Sequence, residues 1–345
     1  MEKKKFFTGK QVVTIIICGT ITFAIMAIFT MVFGDDDEDN EDYTEQVIDG
    51  NKADFKFDIK SEGVDDTETD GSAVKEALEN NPYEELDELI GLTSVKEEVH
   101  SLANFVKVQK QRKDQGLKVP KLSYHLVFTG SPGTGKTTVA RIVARIYKDL
   151  GILKKGHLVE TDRSGLIGQY VGQTAPRVNE VCDSALDGVL FIDEAYALVQ
   201  GHEDYGAEAV ATLLKRMEDD RDRLVVIVAG YTDEMKTFIN SNPGLQSRFN
   251  RYITFPDYTP EELYDIFLMY LRKNEYNISA EAADYLKKRL EDVVEHKDRN
   301  FGNARYVRNT FEKAIQQQAN RLSGEKNPTA EDLTLIKLED IKKVL

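Results

Sequence analysis

The spacing of apolar positions divides the chain into three stretches. Val12 to Phe33 is a run of 22 residues without a charge, rich in Ile, Phe and Val. About 20 apolar residues cross a bilayer as a helix, so residues 12–33 are predicted to form a single transmembrane helix behind a basic segment, 1–11. Over 34–81 the apolar residues thin out and acidic ones take their place. That composition cannot bury enough apolar surface to fold alone, so this stretch is predicted to be an acidic, disordered tether. Inside it Phe55, Phe57 and Ile59 alternate at period two and could dock as a strand on the globular part or on a partner. From about residue 82 the pattern becomes globular. Glu84 to Leu117 reads as helix, broken at Ile90-Gly91-Leu92. Strands are predicted near 124–129, 157–162, 189–192, 224–229 and 252–255, with helices between them and a Gly-rich loop at 165–173. Strands alternating with helices predict a doubly wound parallel α/β sheet over 82–258. After Pro260 the pattern is helical only, which predicts a smaller all-helical domain over 259–345.

Charge sharpens this division. The chain of 345 residues has a net charge of −15. Residues 1–34 carry +3 and residues 35–70 carry −13, which leaves only −5 for the remainder. The globular part has no broad basic excess, so nucleic acid is not expected as the main partner. The two cysteines, Cys18 and Cys182, have no metal-ligand spacing and imply no disulfide framework. Cys18 is open to reversible lipidation by its juxtamembrane position alone. No HExxH or GxSxG string is present, which excludes a zinc protease of that type and a serine-hydrolase elbow.

Two motifs carry chemistry. Residues 130–138 read GSPGTGKTT, a complete phosphate loop between an apolar strand-like run and a helix-like run. Its glycines let the backbone wrap closely around phosphate oxygens, so that its N–H groups point inward, and Ser131, Pro132, Gly133, Thr134, Gly135 and Thr138 are candidate cofactor-binding residues. Lys136 adds a point charge for the β- and γ-phosphates, and Thr137 offers a hydroxyl to Mg²⁺. The second motif is VLFIDE, residues 189–194. It is an apolar strand ending in Asp193, which can hold Mg²⁺ through water, and Glu194, placed to polarise the attacking water as general base. Together they predict a chain that binds ATP with Mg²⁺ and hydrolyses it.

Three further strings suit an ATPase that works as a ring. Asn242 to Phe249 reads NPGLQSRF and places Arg248 after a turn and before the last strand. There an arginine could neutralise γ-phosphate charge across a subunit interface, with Arg251 in reserve. Phe301-Gly-Asn-Ala-Arg305 opens a helix, and Arg305 could fold over the phosphates and report nucleotide state; Arg308 lies one turn on. Tyr170-Val171-Gly172, in the loop after the second strand, offers an aromatic grip on peptide backbone and a glycine that lets the loop move.

With these residues in hand the chain resembles AAA+ ATPases, and more narrowly the CbxX/CfxQ family, which includes red-type rubisco activase and stage V sporulation protein K. The resemblance runs from about Leu86 to Leu322 and rests on LIGLTSVKEEV, TGSPGTGKTTVAR, GQYVGQTAPRV, GVLFIDEAYAL, VIVAGY, NPGLQSRF and FGNARYVRN. It implies an ATP-driven homo-oligomeric ring, usually hexameric, that remodels a protein client by drawing peptide into a central pore. It also implies the roles given above for Lys136, Asp193, Glu194, Arg248, Arg305 and Tyr170, and matches Ile90 and Gly91 to the segment that packs on adenine. Two departures stand out. Many AAA+ proteins orient water with an Asn at the end of the fourth strand; here that strand ends Ala229-Gly230-Tyr231-Thr232, leaving Tyr231 or Thr232 for the role. The anchor and acidic tether lie outside the rubisco activase pattern, which argues against rubisco as the client and against sugar-phosphate regulation.

The anchor raises a topological conflict. Lys3, Lys4, Lys5 and Lys10 precede the apolar run, and positive-inside logic would keep them cytosolic and export the rest. A cleaved signal peptide is the competing reading, but the run is long for one and no small-x-small site follows. An ATPase needs cytosolic ATP, and a large domain can override the charge bias. The expectation is therefore a membrane-anchored, single-pass protein with its ATPase domain in the cytosol. The alternative to a threading motor is a nucleotide-gated scaffold whose ATP-driven assembly recruits partners.

Overall fold

The computed structural model describes residues 81–120, 122–200 and 205–345. The expected transmembrane helix, tether, Phe55–Ile59 strand and Cys18 lie outside the described residues. Among the described residues no helix is long and apolar enough to cross a membrane.

Five strands form one sheet: β1 Leu126–Thr129, β2 Leu158–Thr161, β3 Gly188–Ile192, β4 Leu224–Gly230 and β5 Tyr252–Thr254. All pairings are parallel and the strand order is β2-β3-β4-β1-β5. The three central strands are buried along their whole length. Successive side chains of a strand point to opposite faces, and the sequence supplies apolar residues to both. Leu126, Phe128, Val189, Phe191, Val225 and Ile227 enter one core, while Val127, Leu190, Ile192, Val226 and Val228 enter the other.

Helices cover both faces. On the first lie α1 Pro82–Glu88, α2 Thr93–Asp114 and α3 Lys136–Asp149. The buried positions of α2 are Val95, Val99, Leu102, Ala103 and Val106, the stripe expected of an amphipathic helix. The second face carries α5 Thr174–Ser184, α6 Tyr205–Asp219 and α7 Thr232–Asn240. The Gly-rich segment after β2 begins with one helical turn, α4 Arg163–Leu166, because the Asp162 carboxylate accepts from the N–H of Gly165. A short helix, α8 Pro243–Arg248, precedes β5.

The helical lid follows: α9 Pro260–Lys273, α10 Ala280–Glu295, α11 Ala304–Leu322, α12 Ala330–Thr334 and α13 Leu338–Lys342. A reciprocal capping box starts α9, with Thr259 and Glu262 each accepting the other's backbone N–H. One addition to the helical pattern is a two-residue parallel pair, β6 Asn277–Ile278 with β7 Leu335–Ile336. Such short strands leave no periodic signal in a sequence. Lid residues Leu263, Phe267 and Phe311 share the core on the first face of the sheet, so lid and sheet domain are packed through one apolar cluster.

Candidate nucleotide-binding site

The site forms at the carboxyl ends of the parallel strands, where ligands of open α/β sheets bind. β1 ends at Thr129 and the chain turns through Gly130, whose N–H donates to the Gly230 carbonyl at 3.1 Å. Gly133 and Gly135 have φ of 69° and 91°, conformations that a residue with a Cβ rarely adopts. Helix α3 then starts with Gly135 as its N-cap and no side-chain cap, which leaves its first amides open to an anion. Thr134 is fully buried and braces the loop, its hydroxyl donating to the Ser131 carbonyl at 2.8 Å.

The Lys136 ammonium lies within the loop and donates to the carbonyls of Gly130 and Ser131 at 2.9 and 2.8 Å. Burial pushes its pKa below the ordinary value, and Arg305 adds to that; Asp193, Glu194 and Asp257 oppose it. A polyanion here would favour the charged form, as a nearby opposite charge does. At the end of β3 the Asp193 N–H donates to Thr161 at 2.8 Å, and the Asp193 carboxylate accepts from the N–H of Glu194 at 3.0 Å. Glu194 sits at φ 46°, a left-handed conformation that costs a residue of this kind about 1–3 kcal/mol and recurs at functional sites.

These groups line one cavity of about 410 Å³, shared by the sheet domain and the lid. The sheet domain gives Gly130, Pro132, Gly133, the run Gly135–Thr138, Asp193, Glu194, Gly230 and Tyr231, and the lid gives Tyr270, Ala304, Arg305 and Arg308. Its size suits a mononucleotide. Thr137 and Asp193 both face it, and they fit Mg²⁺, which takes one or two protein oxygens and completes its shell with phosphate and water. Among the described residues no cluster of three metal-ligating His, Cys, Asp or Glu exists, so the protein alone builds no metal cage.

The two lid arginines differ. The Arg308 guanidinium donates to Glu312 at 2.7 Å one turn along α11. Arg305 is exposed on the cavity wall, and among the described residues no ion pair holds it. Arg305 is thus the freer of the two to reach a phosphate. Tyr231 and Thr232 also differ in position. Tyr231 lines both the nucleotide cavity and an adjoining one of about 310 Å³, whereas Thr232 lines the adjoining one, with Ser131, Asp257 and Arg299. The Tyr231 hydroxyl donates to Asn300 in the lid at 3.5 Å, and Arg299 stands 5.6 Å from the centre of its ring.

Ile90 and Gly91 lie at the edge of this arrangement. Neither lines the cavity; Ile90 packs on the first core, and a Cβ at Gly91 would collide with the Glu262 carboxylate of the α9 capping box. Their neighbour Leu92 reaches the loop instead, a Cβ at Gly135 falling 3.5 Å from its Cδ1.

Arg248 stands outside the cavity. Its guanidinium contacts Glu218 at 3.3 Å, the Gly244 carbonyl at 3.4 Å and the Ser247 hydroxyl at 3.5 Å. All three distances are at the long end for hydrogen bonds, and its buried Nε has no partner. Arg251 is committed elsewhere, its guanidinium 4.8 Å from the centre of the Phe105 ring. Beneath this corner His125 is buried, its Nδ1 accepting from Val226 N–H at 2.9 Å. Burial, with Arg248 adding to it, lowers the His125 pKa to about 4. Tyr170 and Val171 are 68% and 85% exposed, and Gly172, at φ 80°, has open space where a Cβ would be.

The sequence reading missed Asn303 and Asp257. Asn303 is fully buried where α11 begins, and its amide bridges lid, linker and phosphate loop. Burial alone would raise the Asp257 carboxyl; hydrogen bonds from Lys297, Asn303 and Ser131 outweigh that and hold it below its usual range. Nothing in the residue pattern signals these contacts, since they join positions far apart in the chain.

A phosphate loop, a strand ending Asp-Glu and a lid that supplies arginine define a P-loop ATPase module. Comparison with known proteins agrees. The family described as "ATPase family associated with various cellular activities (AAA)" matches residues 126–257, and the AAA lid domain matches residues 259–344. The chain is 47% identical over 264 residues to the chloroplastic ribulose bisphosphate carboxylase/oxygenase activase of Cyanidioschyzon merolae, covering 74% of this chain and 88% of that one. It is 42% identical over 259 residues to stage V sporulation protein K of Bacillus subtilis, covering 74% and 80%. The crystal structure of the FIGL-1 AAA domain in complex with ADP shares the fold, with a TM-score of 0.53 and 19% identity over 74% of this chain and 82% of that one. The chain belongs to the AAA ATPases, in the group of the CfxQ, CbbX and rubisco activase proteins. It is accordingly an ATP hydrolase of the AAA+ type.

Proposed function

We propose that this protein is a membrane-anchored AAA+ ATPase whose ring draws segments of a protein client into a central pore. The supporting observation is the contrast in placement of its functional groups. Lys136, Thr137, Asp193, Glu194 and Arg305 converge on one cavity, while Arg248 and Tyr170 lie away from it, one weakly held and the other exposed. In this reading the groups that act within one subunit are gathered, and those that act on a neighbour or a client lie apart from them.

In this reading the loop amides and Lys136 hold the β- and γ-phosphates, and Glu194 takes the proton of the attacking water. Mg²⁺, held by Thr137 and Asp193, would neutralise charge between the phosphates. Arg248 of an adjacent copy completes the charge balance in the transition state. Tyr170 and Val171 grip client backbone, and Gly172 lets the loop move. The apolar run 12–33 anchors the chain, with the ATPase domain in the cytosol, and the acidic segment sets the reach of the ring from the bilayer. The ring is a homo-oligomer, built from one heterologous interface repeated until it closes.

The test is a trap in native membranes. Glu194→Gln protein holds ATP without turning it over, and bound proteins are crosslinked and identified. The same variant also carrying Tyr170→Ala runs beside it. Proteins captured only when Tyr170 is present are threaded clients. An identical catch from both, or none from either, contradicts threading and favours a nucleotide-gated scaffold.

A further inference from the structure

We propose that Asn303 is a positioning residue for phosphate binding: the lid, through this side chain and the backbone of Ala304, sets the direction in which the N–H groups of the phosphate loop point. The proposal rests on the reading of the cavity as a nucleotide site.

The peptide unit is planar and trans, so the C=O of one residue and the N–H of the next point in opposite directions. Fixing a carbonyl therefore fixes the following amide. Two consecutive carbonyls of the phosphate loop are fixed by the lid. The Pro132 carbonyl accepts from Asn303 Nδ2 at 3.3 Å, and the Gly133 carbonyl accepts from the Ala304 N–H at 3.1 Å. The N–H groups of Gly133 and Thr134 must then point away from the lid contact. Among the described residues neither has a hydrogen-bond partner, as expected of donors kept for a ligand.

Asn303 is built for this task. It is fully buried, and its Oδ1 accepts from Tyr258 N–H at 3.0 Å. Its Nδ2 also donates to Asp257 at 2.9 Å and to the Phe301 carbonyl at 3.2 Å. The amide is thus clamped by the linker between the domains, and its two hydrogens are shared among three acceptors, the Pro132 carbonyl of the phosphate loop being one of them. Its backbone has φ 47° and ψ −121°, which places the start of α11 directly on the loop. The approach is so close that a Cβ at Gly133 would collide with the Gly302 carbonyl. Two residues on, Arg305 lines the cavity. One short segment therefore orients the loop amides and carries the arginine that meets the same phosphates. By linkage, phosphate bound to those amides must in turn strengthen the hold of the lid on the loop.

The test is Asn303→Gly in the full-length protein. Glycine accepts the positive φ without strain, so this variant removes the amide and leaves the backbone free to keep its path. Affinity for ADP and for AMP is measured by calorimetry with Mg²⁺, well below the melting midpoint of the variant. The expected result is a loss of about tenfold for ADP and no more than about twofold for AMP, which presents fewer oxygens to the loop amides. Unchanged ADP affinity would overturn the proposal, as would an equal loss for both ligands, the sign of a general loosening of the cavity. Lys136→Ala runs as a separate arm. If that variant still binds ADP like the parent, the reading of the cavity itself fails, independently of Asn303.

Discussion

The nucleotide cavity and the Arg248 corner are built on opposite plans. In the cavity, groups from the loop and the lid are held by short contacts: Lys136 on two carbonyls at 2.9 and 2.8 Å, Thr134 on Ser131 at 2.8 Å and Asn303 on Asp257 at 2.9 Å, with a longer one from Asn303 to Pro132 at 3.3 Å. At the corner, Arg248 has three long contacts and a buried Nε without a partner. A buried donor left unpaired costs free energy, so the corner holds Arg248 less firmly than the cavity holds its groups. On the proposed function, this contrast is what a binding site complete within one protomer and a catalytic site completed by a neighbour would show.

The sharpest way to break the comparison is to remove one chemical group from each side. Glu194→Gln should lower kcat by about 10²- to 10⁴-fold while ATP affinity stays within about twofold, since it removes only the general base. Steady-state turnover and calorimetric binding check this together. Arg248→Ala should lower kcat by about 10²- to 10³-fold, again with binding retained, because its charge serves the transition state. Loss of ATP binding in Arg248→Ala would place that arginine in its own protomer's cavity, contrary to the account.

Acid should separate the two regions next. His125 is neutral in the fold, with a pKa lowered from 6.5 to about 4. Its folded value lies below its unfolded one, so the unfolded chain binds the proton first as pH falls. Stability is full above pH 6.5 and declines toward pH 4, by up to about 3 kcal/mol from this group. Urea unfolding across that window should show the decline. His125→Asn, whose amide oxygen can replace Nδ1 as acceptor for Val226 N–H, should flatten it. The smallest effect is expected from Tyr170→Ala. It should change basal ATP turnover by less than about twofold, because an exposed loop tip contributes little to the cavity. Any loss should appear only in client handling.

The sheet domain was largely legible in the sequence because strands buried on both faces read as unbroken apolar runs, as Val189–Ile192 and Leu224–Ala229 do. The phosphate loop and the Asp-Glu strand end were legible for a different reason: their chemistry needs fixed residue types at fixed spacing. What stayed hidden depends on contacts between distant positions. Asn303 looks like an ordinary helix start until the fold brings Pro132 to its amide. Tyr231 and Thr232 are adjacent in sequence and share one cavity, and only the turn from β4 into α7 shows that Tyr231 reaches the nucleotide cavity as well. The β6–β7 pair is too short to show a period of two. Ile90 and Gly91 sit beside the phosphate loop's neighbour Leu92 and not in the cavity, a placement that a motif match carries no information about.

On the proposed function, catalysis needs two copies, one giving Glu194 and its neighbour giving Arg248. The direct measurement is complementation. Glu194→Gln and Arg248→Ala proteins, each inactive alone, are mixed in equal amounts under conditions that let subunits exchange, and ATP turnover is followed. In a closed ring of heterologous interfaces, up to about one quarter of the sites then pair an intact Glu194 with an intact neighbouring Arg248. Turnover should rise toward that fraction of the parent rate. A mixture as inactive as its components, with exchange demonstrated by labelled subunits, would contradict it.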